Sequence, residues 1–152
     1  MFSKGTPALS ELAGFDVIFL SAITLAILPR SMRANLIAAC GAARDQGRKV
    51  VFESNYRSAL WNSAEEARET MDLMWANCSI ALPSLDDEQD LYPDLDADQI
   101  IKRIAAFGVD EVVLKSGALG PKSWPMKAAA TFPRSDGVIG STGAGGSFDA
   151  GY

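Results

Sequence analysis

The sequence predicts an α/β fold built on a mostly parallel sheet. Three observations carry that prediction. Short, continuous apolar runs recur along the chain, as in strands buried on both faces. Between them lie segments whose apolar residues repeat at helical spacing. The two kinds alternate, and alternation implies right-handed crossovers between parallel strands.

Taken in order, DVIFLS (Asp16 to Ser21) reads as the first strand. SMRANLIAACGAAR follows as a helix, with Met32, Leu36, Cys40 and Ala43 on one stripe. KVVFES (Lys49 to Ser54) is the second strand. SAEEARETMDLMW is a helix opening with Ser63 and Glu66 at capping-box spacing and burying Ala67, Met71 and Met74. CSIALP (Cys78 to Pro83) is the third strand. DADQIIKRIAAFG is a helix with Ile100, Ile101 and Ile104 inward and Gly108 as its stop. EVVLKSG (Glu111 to Gly117) is the fourth strand, and the irregular stretch after Gly120 has room for one more edge hairpin. A last helix is expected to start near Gly145.

Composition narrows the function classes. The 152 residues suffice for one domain with a real core. A net charge of −5 without any Lys/Arg run argues against a nucleic-acid surface. The absence of histidine excludes Ser-His-Asp hydrolysis, histidine bases and histidine-ligated zinc. Cys40 and Cys78 have no metal spacing and are expected to be buried free thiols, as suits a reducing cytoplasm. Met1 to Gly14 lacks the pattern of a signal peptide, and the apolar stretch Val17 to Leu28 is too short to span a membrane.

In open parallel sheets, ligands bind beyond the carboxyl ends of the strands. That rule selects Ser21 to Thr24, Ser54 to Arg57, Ser84 to Glu88 and Lys115 to Gly120. Arg57 suits a carboxylate or phosphate by bidentate bonding, and Asn55 can donate and accept. The alternative for Arg57 is a surface side chain whose stem covers Trp61. The acids of SLDDE could hold Mg²⁺ through water, but N-capping by Ser84 or Asp86 accounts for them better. Lys115, Gly117 and Gly120 make a flexible turn with one cation. Near the carboxyl terminus, Thr142, Gly143, Ala144 and Gly145 form a glycine-rich loop before the expected helix. Such a loop lets backbone N–H groups converge on an anion; the alternative is a tight turn. It is neither a Walker A motif nor a dinucleotide fingerprint.

Together these segments resemble the PfkB, or ribokinase-like, carbohydrate kinases, and within them the branch acting on 2-keto-3-deoxygluconate. GSTGAGGSFDAGY (Gly140 to Tyr152) is similar to the family's D-T-T-G-A-G-D-S-F and the small residue, A-G and aromatic that follow. LSAITLAIL, FESNYRSALW, LPSLDDEQDLY and VVLKSGALG match the branch's other motifs in order and spacing. The resemblance implies a three-layer αβα ribokinase-like core with a mostly parallel sheet, here a single partial domain over residues 1–152. The family's first strands and lid, and its carboxy-terminal helices, are expected to lie outside these residues.

The resemblance also implies phosphoryl transfer from ATP, with Mg²⁺, to a hydroxyl of a 2-keto-3-deoxy sugar acid. Gly143, Ala144 and Gly145 would form the anion hole, and Arg57 would read the sugar acid's carboxylate. Asn55, Lys115, Ser116, Gly117, Gly120 and Thr142 would line the nucleotide. The family's catalytic base, an Asp, falls at Gly146, which has no side chain, and an upstream Asp of the motif falls at Gly140. Asp149 lies a turn further on, too far to take the base's place. The implied partners are small molecules, a sugar acid and ATP, with no nucleic acid and no membrane. The resemblance thus implies a kinase impaired at its base position, and two readings stand beside it: a non-catalytic module that binds nucleotide or sugar acid, and an orphan kinase-core fragment that associates with other copies through sheet edges.

Overall fold

The computed structural model describes residues 14–117 and 120–125. Five strands form one sheet in the order β1-β2-β3-β4-β5. They are β1 (Val17–Ser21), β2 (Lys49–Glu53), β3 (Ile80–Leu82), β4 (Glu111–Leu114) and β5 (Lys122–Trp124). The first four run parallel, with Val17 beside Lys49, Val51 beside Ile80 and Ile80 beside Glu111. β5 returns antiparallel to β4, so the irregular stretch does hold an edge hairpin.

The helices follow the predicted segments: α2 (Arg30–Asp45), α3 (Ala64–Trp75) and α5 (Ala97–Ala105). Two more are short: α1 (Ala22–Ile27) directly after β1, and α4 (Leu85–Leu91) directly after β3. Sequential strand order with right-handed crossovers puts every connecting helix on the same face of the sheet. The core bears this out. Ile18, Leu20, Val50, Phe52, Val112 and Leu114 pack with α1, α2, α3 and α5 in one cluster. The alternate residues Val51, Leu82 and Val113 form a separate cluster on the other face. The described residues thus supply the sheet and one helical layer of the expected three.

Trp75 and Phe52 anchor the core, edge to face at 4.7 Å. Full burial of one such side chain contributes about 3 kcal/mol. Cys40 and Cys78 are buried free thiols, and burial pushes them up to about 11 and about 12. No helix among the described residues is long and apolar enough to cross a membrane.

The helix ends show how local signals work. Ser63 accepts a hydrogen bond from the Glu66 N–H at 3.1 Å, as its spacing predicts. Glu66 does not complete the box; its carboxylate accepts from the Asn62 N–H and pairs with Arg30 and Arg33. A full capping box sits instead at Asp96 and Gln99 of α5. Gly108 ends that segment at φ +90°, as a stop residue should.

Arg33 lies over Trp61, 4.9 Å from the ring centre. Arg33 is buried because α1 ends against it: its guanidinium donates to the carbonyls of Leu25 and Leu28, which a six-residue helix leaves without partners.

Candidate functional site

The carboxyl ends of β2, β3 and β4 meet at one edge of the sheet. Backbone bonds hold them in step: Ser54 N–H donates to Leu82 O, Lys115 N–H to Pro83 O, and Leu85 N–H to Lys115 O. A further bridge joins Ser84 to Lys115. This brings together the residues singled out in three separate segments.

After β2 the chain turns sharply. Asn55 has φ +31°, in the left-handed region that asparagine tolerates better than most residues. Held backbone strain of this kind gathers at functional sites. The turn buries Ser54 and Tyr56 and leaves Arg57 about two-fifths exposed. Arg57 Nη1 donates to Tyr56 O and lies 3.9 Å from Asp87 Oδ1.

After β3, α4 starts at once. Ser84 is its N-cap and accepts from the Asp87 N–H at 3.1 Å. Capping is therefore the work of Ser84, not Asp86. Ser54 Oγ accepts from the Ser84 N–H and donates to Asp87 Oδ2, both at 2.9 Å.

After β4, Lys115 Nζ donates to Glu53 Oε1 at 3.1 Å, a pair largely shielded from water. The turn that follows is tight. Ser116 Oγ donates to Gly120 O, and Gly120 N–H to Gly117 O. Gly117 and Gly120 have φ +56° and +80°, which a side-chain-bearing residue would hold only under strain.

Asn55, Arg57, Lys115, Ser116, Gly117 and Gly120 therefore gather along one sheet edge. Thr142, Gly143, Ala144, Gly145 and Gly146 lie outside the described residues. Ser54 and Asp87 lie within the segments selected from the sequence, but their contact with each other is not legible there. The signal available was position: Ser54 directly follows a strand with an apolar centre, and a buried hydroxyl there needs partners.

Next to Asp87 in the chain, Glu88 is buried, and its Oε1 has no hydrogen-bond partner among the described residues. Burial pushes its carboxyl up to about 8, against the pull of Arg103.

The mostly parallel sheet with its connecting helices is an α/β fold of the ribokinase-like kind. Solved structures bear this out. A PfkB protein from Polaromonas superposes with a TM-score of 0.67 at 22% identity, over 77% of this chain and 40% of that one. Aminoimidazole riboside kinase from Salmonella enterica, complexed with aminoimidazole riboside and an ATP analogue, gives 0.63 at 24% identity, over 84% of this chain and 43% of that one. At these identities the likeness establishes the fold. No protein-family model matches the chain. The 2-dehydro-3-deoxygluconokinase of Dickeya dadantii is 42% identical over 148 residues, 93% of this chain and 47% of the relative. The chain thus spans about half the length of the curated relatives it matches. Over that half, the chain is similar to 2-dehydro-3-deoxygluconokinases.

Proposed function

We propose that the chain forms the sugar-acid and nucleotide edge of a kinase that moves the γ-phosphoryl group of ATP onto a hydroxyl of a 2-keto-3-deoxy sugar acid. One observation carries this reading: Asn55 and Arg57 after β2 stand at the same edge as the Lys115–Gly120 turn after β4. In this reading Arg57 reads the carboxylate of the sugar acid, because a planar guanidinium matches a carboxylate in two parallel bonds. Asn55, Lys115, Ser116, Gly117, Gly120 and Thr142 line the nucleotide. The bond between the γ-phosphorus and ADP breaks, a bond to the sugar oxygen forms, and the hydroxyl proton passes to a base. Amides of Gly143, Ala144 and Gly145 offset the charge that builds on the phosphoryl oxygens.

Mg²⁺ enters this reading on the nucleotide. Among the described residues no three Cys, Asp or Glu side chains gather into a metal cage, and Glu53 and Asp87 each face a cation. Mg²⁺ is commonly held by substrate phosphates with one or two carboxylates, so a dedicated cage is not needed.

The sequence at Gly146 favours a second reading, a domain that binds but does not turn over, since a glycine accepts no proton. Calorimetric titration of the purified chain with ADP and Mg²⁺, then with 2-keto-3-deoxygluconate, tests both. Saturable binding near one to one for each ligand is expected. No heat with either, from a chain that circular dichroism shows to be folded, would leave a core fragment with neither site.

A further inference from the structure

Three polar side chains at the sheet edge close a ring that the sequence motifs do not explain. Ser54 Oγ takes the Ser84 N–H and gives its proton to Asp87 Oδ2. Asp87 N–H in turn donates to Ser84 Oγ. Ser54 is fully buried, and the Asp87 side chain is only 15% exposed. Asp87 is thus clamped through one oxygen and through its own backbone. Its other oxygen, Oδ1, faces Arg57 Nη1 at 3.9 Å, and the same Nη1 donates to Tyr56 O.

A half-exposed arginine samples many rotamers, and ordering it on an anion opposes binding. The clamp on Asp87 limits that sampling before any ligand arrives. At 3.9 Å the pair is loose enough for an incoming carboxylate to share the guanidinium.

We propose that Asp87 is the positioning residue for Arg57, holding the guanidinium aligned for the carboxylate of a 2-keto-3-deoxy sugar acid. The proposal rests on the reading of Arg57 as the residue that binds the sugar acid. It makes a prediction of definite sign. If Asp87 acted only by its charge, its removal would strengthen anion binding, because a negative neighbour would be gone. If Asp87 positions Arg57, removal weakens binding.

The test uses the full chain and its Asp87→Asn, Asp87→Glu and Ser54→Ala variants, each titrated calorimetrically with 2-keto-3-deoxygluconate. The NMR signal of the Arg57 side-chain Nε–H is followed in each without ligand. We expect Asp87→Asn to weaken binding about tenfold and to shift the Arg57 signal toward that of a free arginine. Asp87→Glu should recover most of both. Ser54→Ala, which loosens the clamp but keeps the charge, should weaken binding less and stands in if Asp87→Asn fails to fold. Unchanged or tighter binding in Asp87→Asn, with an unmoved Arg57 signal, would overturn the proposal. If the wild-type chain takes up no sugar acid, the substrate reading falls. The Arg57 signal then decides the positioning claim by itself: moved by Asp87→Asn it stands, unmoved it falls.

Discussion

Glu53 and Lys115 form an ion pair across the sheet edge: they end β2 and follow β4, with β3 between them, and Nζ stands 3.1 Å from Oε1. Both side chains are mostly shielded, at 16% and 13% exposure. Removing one partner from a shielded pair costs more than the pair contributes, because the other charge stays behind. Lys115→Met is therefore expected to lower the unfolding free energy by about 2 kcal/mol in urea denaturation. The double variant with Glu53→Gln should recover part of that loss, since the stranded carboxylate is gone. A Lys115→Met chain as stable as wild type would show that the pair is solvated in solution.

Glu88 makes stability depend on pH. Its folded-state value, about 8, lies above its ordinary 4.5, because burial disfavours the carboxylate. The unfolded chain gives up the proton first. The stabilisation is complete below pH 4.5 and is lost progressively as pH rises to about 8, on the order of 1 kcal/mol per pH unit. The charged groups acting on it are Arg103 from α5, Asp87 on its own helix and Asp72 from α3. Glu88→Gln, neutral throughout, should flatten the profile between pH 5 and pH 8 in thermal unfolding. A profile as steep as wild type would place the titration elsewhere.

Ser63 caps α3 through the Glu66 N–H. Ser63→Ala should cost about 1 kcal/mol of stability, and Ser63→Asp should cost little, because a carboxylate also accepts at an N-cap. Chemical denaturation of the two variants separates the cap from any loss of helix propensity.

Gly146→Asp tests the reaction itself. If the missing proton acceptor is what limits the chain, the variant should gain phosphoryl transfer to 2-keto-3-deoxygluconate by about 10²–10⁴-fold, measured as ADP released. Binding of both ligands with no gain in turnover would mean that the carboxylate is not the limiting element.

Much of the fold is legible because its strands are continuous apolar runs between helical stripes. The exception is α1. Its sequence AITLAI extends the run of β1, and an apolar run without period does not tell strand from helix. Ser21, at its start, makes no side-chain capping bond. The helix is held by tertiary contacts, with Ala22 and Leu25 fully buried. At the site, Arg57, Asn55 and Lys115 are legible as polar residues placed just after buried strands. The ring of Ser54, Ser84 and Asp87 is not, because Ser54 lies 30 and 33 residues before the other two and the β2–β3 pairing brings them together. The Arg33–Trp61 contact is not legible for the same reason: its two residues lie 28 positions apart in the sequence.

The strand order β1-β2-β3-β4-β5 has a kinetic consequence. Among the described residues every strand pairs only with its neighbours in sequence, so none of these pairings waits for a distant segment. Each parallel step closes a loop of about thirty residues, a modest entropic cost that hardly varies from step to step. Such a sheet can grow by accretion, one strand and its helix at a time, on the ledge left by the one before.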